Sequence, residues 1–211
     1  MAETLFRQWF VKEADEGWEE VPLKDVCIIH NGYAFQSPTY TDSGQKIIRT
    51  MNFSNHWIEL NGLVYVSSKS AEEFERFYLQ RNDFLLVMVG ASLGNFAIVT
   101  QDILPALQNQ NMWRFRANES FSQHYLNYGL RQIINETLHG ASGSAREFFQ
   151  KGVFYDLMIP RPPLALLIRF EETTESLFSR IELNRFQIHT LENLRDNLLP
   201  KLMSGEVRVA L

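Results

Sequence analysis

The stretch Leu164–Leu199 contains neither proline nor glycine, and it directly follows Pro160-Arg-Pro-Pro163. Prolines cannot continue a strand ladder or a helix interior, so the four-residue motif marks a stiff boundary. The uninterrupted stretch beyond it predicts one helix, ~54 Å long at ~1.5 Å per residue. Its apolar residues repeat every seven positions. One row is Leu167, Thr174, Ile181, Ile188 and Arg195; the other is Phe170, Leu177, Asn184, Leu191 and Leu198. Seven of these ten are apolar, which is the pattern of a coiled-coil seam with three polar interruptions. Asn184 inside the seam costs stability but fixes register against a partner. The alternative is an amphipathic helix lying on its own domain. A helix of this length overhangs a domain of the size that precedes it, which favours a helical partner, in the chain or in a second copy. Pro200 is expected to stop the helix, with Gly205 marking a final turn.

The rest of the chain reads as mixed α and β. Ile28-Ile29, Lys46–Arg49 and Leu63–Val66 have the character of short strands between turn residues. Asp83–Val89 is a buried strand closed by Gly90, Asn95–Thr100 its hairpin partner, and Met112–Arg116 another strand. Ser70–Tyr78 reads as a helix with Ser70 as N-cap and Glu73 completing a capping box. Ser122–Leu138 reads as a second helix, and Gly140–Ser144 as a flexible loop. Near the start, Leu5, Phe6, Trp9 and Phe10 share one helical face, a helix end that packs on something larger; Gly17 ends it. The fold class is therefore α+β, with three segments: an N-terminal helix at 1–17, a globular domain at 18–160, and the long helix with its tail at 161–211.

Composition narrows the function classes. In 211 residues the hydrophobic fraction is 45% and the charged fraction 21%, which excludes wholesale disorder. No run approaches the ~18 apolar residues of a membrane span, and no secretory signal opens the chain. One cysteine, Cys27, leaves no internal disulfide framework and fits a reducing cytoplasm. The net charge of −5 is concentrated in residues 1–25, while residues 26–163 balance acids against bases. A general basic coat is absent, though a local patch is compatible with this balance.

Catalytic patterns are missing. Gly90-Ala-Ser-Leu-Gly94 has no Lys-Ser or Lys-Thr after it, so it is no phosphate loop, and there is no G-x-G-x-x-G fingerprint. Ile159-Pro-Arg-Pro-Pro163 lacks the pattern of amino-methyltransferases. The histidines at 30, 56, 124, 139 and 189 are scattered without metal-ligand spacing, so neither a catalytic nor a metal site is assigned. What does gather is amides and aromatics, in four loops: His30–Tyr33, Arg49–Trp57, Gly94-Asn95 and Gln108–Asn111. Asn and Gln make bidentate hydrogen bonds to an adenine edge and Arg to guanine. Such residues also cap strands and satisfy turns, so each loop alone is weak evidence.

The stretch Leu191-Glu-Asn-Leu-Arg-Asp-Asn-Leu-Leu-Pro-Lys-Leu-Met-Ser-Gly-Glu-Val-Arg-Val209 resembles the end of the distal conserved helix of the specificity subunits of type I restriction–modification systems. Trp18 with Val21, Leu23, Val26 and Gly32, then Asp83–Gly90 with Gly94, then Asn109-Gln110, Gly140–Ser144 and Ile159–Leu164 are similar to successive elements of that family's target-recognition domain. The usual Glu-Gln after the proline turn is replaced by Ala165-Leu-Leu-Ile-Arg-Phe170. Most members have two recognition domains and two helical regions. This chain has one of each, and Met1–Val11 looks like the tail of a central helical region, so the chain corresponds to the C-terminal half of such a subunit.

The resemblance implies a non-catalytic reader of double-stranded DNA that recognises half of a split target, mainly through the major groove. It implies docking to the modification (methyltransferase) subunit and, through the complex, to the restriction (translocase/nuclease) subunit. The chain itself would need no cofactor; S-adenosylmethionine and ATP with Mg²⁺ would be used by those partner subunits. Candidate DNA-contacting residues are Asn31, Arg49, Asn52, Asn55, Asn95, Asn109, Gln110, Ser142, Ser144 and Arg146. Candidate interface residues for a homodimer through the long helix are Leu167, Phe170, Leu177, Ile181, Asn184, Ile188, Leu191 and Leu198. The competing classes are a stand-alone methyltransferase or nuclease with a recognition module, and a dimerising scaffold or regulator of the restriction system.

Overall fold

The computed structural model describes residues 1–140 and 149–207. The chain divides into two compact units, Met1–Thr174 and Glu175 onward. The division falls inside the long helix, whereas the sequence reading divides the chain at the proline turn.

The first unit is α+β. Its strands are β1 (Glu19–Pro22), β2 (Cys27–Asn31), β3 (Gln45–Ile48), β4 (Phe53–Ser54), β5 (Trp57–Ile58), β6 (Val64–Val66), β7 (Phe84–Val87), β8 (Phe96–Ile98), β9 (Ala106–Gln108), β10 (Met112–Ala117) and β11 (Met158–Arg161). A central six-stranded sheet has the order β2-β10-β7-β8-β5-β4. A three-stranded sheet has the order β6-β3-β9, with β3 and β9 parallel. The pair β1–β11 joins Val21 to Ile159 and so brings the two ends of the globular segment together.

Chemistry explains the layering. β7 is apolar at every position and buried at every position, as a strand covered on both faces must be. In β10 the side chains alternate. Trp113 and Phe115 pack on Phe154 of a short helix (Lys151–Asp156), with ring centroids 5.2 and 5.7 Å away. Met112, one position out of phase, joins Ile48, Leu85, Ala97, Val99 and Ala106 in the core shared by the two larger sheets. The helix Gln123–Gly140 buries Tyr125, Leu126, Leu130 and Ile134. A Cβ at its Gly129 would stand 2.7 Å from the Ile159 side chain, so glycine is what allows this helix to approach β11.

The N-terminal helix Ala2–Arg7 continues through a π-helical turn, Gln8–Lys12, closed by the Glu13 N–H donating to the Gln8 carbonyl at 2.9 Å. Phe6 and Phe10 are buried, and Phe10 meets the Tyr125 and Phe170 rings at 4.6 and 4.9 Å. The apolar N-terminal face is therefore satisfied within its own unit.

Three local expectations need correction. The segment expected as a helix capped by Ser70 starts earlier, as Ser68–Ala71, and tightens into a 3-10 turn, Glu72–Phe77, with Phe74 out of helical geometry. There Phe74 sits 4.6 Å from Tyr33 and 4.9 Å from Phe35, next to buried Phe77, while Arg114 takes the Arg76 and Tyr78 carbonyls out of any helical ladder. Pro200 does not stop the long helix, which spans Leu164–Met203. In the last turn the missing N–H forfeits a single hydrogen bond to an exposed carbonyl, a smaller loss than in a helix interior. The helix ends instead at Gly205 with φ +75°. The loop expected at 140–144 lies, beyond Gly140, outside the described residues.

At the start of β7 and across from it on β10 lies a buried ionic cluster. Arg116 donates to both Asp83 oxygens, from Nε at 2.8 Å and Nη2 at 2.7 Å. Arg114 is 1% exposed; its Nη1 donates to the Tyr78 carbonyl at 2.6 Å, its Nη2 to the Arg76 carbonyl at 3.1 Å, and its Nε lies 3.9 Å from Asp83. Removing the carboxylate leaves two guanidiniums without their anion. Asp83→Ala is expected to lower unfolding free energy by about 3 kcal/mol, read from urea denaturation; a change within experimental error would show the cluster to be energetically idle.

Candidate nucleic-acid interface

Strand register places the amide-rich loops at one end of the central sheet. β10 begins opposite the ends of β2 and β7, since Trp113 pairs with Asn31 and Met112 with Val87. The β7–β8 hairpin turns at the same end, with Val87 N–H donating to the Asn95 carbonyl at 2.8 Å. β5 runs parallel to β8, so the Asn55-His56 turn that precedes it also lies there. That turn has φ +49° and +67°, the left-handed pair required by a two-residue hairpin. His56 stacks on Phe96 with centroids 4.1 Å apart.

The segment Gln108–Asn111 ties this rim together through the backbone. The Asn109 N–H donates to the Ile48 carbonyl at 3.1 Å, the Gln110 N–H to the Tyr33 carbonyl at 2.8 Å, and the Met88 N–H to the Asn111 carbonyl at 3.1 Å. Loops after β2, β3 and β7 thus converge on one connection. A Cβ at Gly32 would stand 1.8 Å from the Asn109 carbonyl oxygen, so only glycine permits this approach. Gln108, fully buried, donates its amide to the Met112 carbonyl at 3.0 Å and to that of His30 at 3.3 Å. It holds the rim from beneath, a role that its place in a polar loop did not distinguish from surface recognition.

The candidate residues divide accordingly. Asn31, Asn55 and Gln110 are exposed on the rim. Asn109 is half-buried, and its Oδ1 accepts the Gln110 N–H at 2.8 Å. Asn95 is half-buried and uses Oδ1 to accept the Phe96 N–H. Arg49 follows β3 beside Asn109, with Nη2 donating to the Gly62 carbonyl at 2.8 Å. Asn52 is a correction: at 3% exposure its Oδ1 accepts the Arg49 N–H and its Nδ2 donates to the Asn61 carbonyl, which commits it to shaping the loop. That pinned loop presents Met51, 71% exposed, which the amide pattern overlooked. Ser142, Ser144 and Arg146 lie outside the described residues.

The helix residues also divide. Leu167 and Phe170 are buried within the first unit, together with Thr174, so they belong to its core and offer nothing to a partner helix. In the second unit Leu177 is half-buried, and Ile181, Asn184, Ile188, Leu191 and Leu198 are exposed, alongside exposed Leu183, Phe186 and Leu194.

Among the described residues, no group of three or more His, Cys, Asp or Glu is placed to hold a metal ion, and no helix is long and apolar enough to cross a membrane. Cys27 is buried, and burial pushes its thiol up to about 12.

Residues 15–167 match the model of the type I restriction modification DNA specificity domain. This chain belongs to that family. It is 24% identical to the MjaIX specificity subunit of a type I restriction enzyme from Methanocaldococcus jannaschii, over 97% of this chain and 52% of that protein. It is 22% identical to the MjaVIII specificity subunit of the same organism, over 97% of this chain and 49% of that protein. The chain thus spans about half the length of these curated relatives. Its fold is similar to that of the HsdS subunit from Thermoanaerobacter tengcongensis (TM-score 0.58, 20% identity, 98% of this chain and 50% of that one). It is also similar to the S subunit of the type I system from M. genitalium (TM-score 0.64, 13% identity, 95% and 52%).

His30, beneath the rim, has its pKa lowered from 6.5 to about 4, first by burial and then by Arg114 and Arg116. As pH falls below 6.5 the unfolded chain takes up a proton that the folded chain refuses until about 4, so stability declines across this window. His30→Asn is expected to flatten that decline. Urea midpoints at pH 7.5 and 4.5 test this, and an equal drop in both proteins would exclude His30 as a source of acid sensitivity.

Proposed function

We propose that this chain is the DNA-recognition component of a type I restriction–modification complex and reads one half of a split duplex target through the rim centred on Gln108–Asn111. The observation that carries the reading is convergence: segments next to β2, β5, β7 and β9, far apart in sequence, bring amides to one end of the sheet, with Arg49 after β3 beside them. Amides on a rigid backbone suit base-edge hydrogen bonds in the major groove, where each base pair shows a distinct donor–acceptor pattern. Membership of the specificity-domain family supports the same substrate.

The second unit supplies the other half of the proposal. A helix with Ile181, Ile188, Leu191 and Leu198 exposed to water leaves apolar surface to be covered. A second copy of the helix covers it and sets the distance between two readers. Two-fold symmetry then requires a palindromic split target. The modification subunit docks along the paired helices, and the restriction subunit joins through it. Methyl transfer, with S-adenosylmethionine, and ATP-driven translocation and cleavage, with Mg²⁺, belong to those subunits. The chain is non-catalytic and acts in the cytoplasm.

The direct test is selection of bound sequences from a random duplex library by the full chain with the modification subunit. An enriched palindromic split motif is the expected result; no enrichment rejects the reading. Gln110→Ala should cost ~1–3 kcal/mol for the selected duplex and relax preference at one base position, as read by competition binding. Ile188→Asp should convert a dimer to monomers in sedimentation equilibrium while leaving the thermal transition of the first unit in place. A dimer that persists through this change would place the contact elsewhere.

A further inference from the structure

The reading rim carries amides and little charge, yet duplex affinity comes largely from cations set against phosphates. One side of the same unit supplies what the rim lacks. Next to Asn31, on the face of β2 and β10 that carries His30, Arg114 and Arg116, lies an open hollow of about 610 Å³. Tyr78, Gln80 and Arg76 form its other wall.

The charges inside do not cancel. Asp83 is the carboxylate that faces buried Arg114 and half-buried Arg116; it takes Arg116 through two hydrogen bonds and stands 3.9 Å from Arg114. Arg114 Nε is buried without a hydrogen-bond partner. Burial pulls Arg114 down to about 10 despite Asp83, and the same two guanidiniums help keep His30 neutral. The second of these effects reflects a positive potential at His30. Arg76 stands at the mouth, exposed, with its guanidinium 4.6 Å over the Phe77 ring and no ion pair among the described residues. Its carbonyl accepts from Arg114 Nη2, which fixes where Arg76 starts. Glu75 is the acid at the mouth that opposes them.

We propose that this hollow seats a phosphate group, and that in the complex the phosphate is a backbone phosphodiester of the duplex, flanking the bases read at the rim. The inference rests on the DNA-reading function above and names where the backbone is gripped. A phosphate here neutralises the surplus positive charge and anchors the duplex beside Asn31. It carries no sequence information, so grip and reading fall to adjacent but separate residues.

The test uses the full chain with the modification subunit and the duplex selected by the wild type. Arg76→Gln should reduce the slope of log affinity against log salt by about 1 and weaken all sequences alike, with the selected motif unchanged. Glu75→Gln should tighten binding. Duplexes carrying a single methylphosphonate at successive positions should show one phosphate whose neutralisation weakens the wild type but not Arg76→Gln. An unaltered salt slope and an unaltered methylphosphonate pattern overturn the proposal while duplex binding stands. A changed base preference in Arg76→Gln overturns it too, since it would make Arg76 a base reader. In parallel, inorganic phosphate is titrated against the His30 imidazole NMR signals. If the wild type selects no duplex, the DNA-reading function fails, and this titration decides the hollow alone. A saturable His30 response supports a phosphate site of another source, and none rejects it. Thermal melts of both variants confirm that they fold.

Discussion

The first unit turns on one carboxylate shared by two guanidiniums. Asp83 directly precedes β7, and Arg114 and Arg116 project from the adjacent β10, so the ionic cluster locks the register of the two central strands. Through its fork, Arg114 also holds the Arg76 and Tyr78 carbonyls, and the chain continues directly into Leu79, whose N–H donates to Ala106 on β9. A single buried charge thus connects both larger sheets. Burying ions is costly, and apolar replacements are often as stable. What the ions supply here is directionality: hydrogen bonds fix the 72–78 segment at an angle that an apolar contact would leave loose.

That fixed frame holds the rim in place. Its loops are anchored by backbone hydrogen bonds to one another and closed by turns with left-handed Asn and Gly residues. Under the proposed function little ordering entropy is lost on binding, which favours discrimination between bases over sheer affinity.

Local pattern carried much of this into the sequence. The long helix, the Asp83–Val89 strand with its hairpin partner, the Met112–Arg116 strand and the Ser122–Leu138 helix each have an uninterrupted periodicity, and each forms nearly where it is expected. What local pattern cannot carry is pairing between distant segments. The parallel β3–β9 contact, and the Phe10–Phe170 contact joining the two ends of the first unit, depend on closure of long loops. Arg114 and Arg116 alternate with Trp113 and Phe115, which reads as an outward polar face; the other sheet and the 72–78 segment cover that face instead. The same limit applied to the site. Amide-rich loops were legible as loops, but the burial of Asn52 and the exposure of Met51 follow from how one turn is capped. The heptad rows were legible along the whole helix, but their first members, Leu167 and Phe170, are buried in the globular unit, where Phe6 and Phe10 pack on Phe170.

That early burial has a consequence for transplanting the first unit between scaffolds. A splice at the proline turn would amputate Phe170 and leave Phe6 and Phe10 facing water, so the donor globule would arrive with an open wound in its aromatic floor. A junction placed after Thr174 hands over the floor intact and leaves the exposed leucines and isoleucines from Ile181 onward with the rod. The natural seam for exchange therefore lies about three turns inside the rod, not at its conspicuous proline hinge.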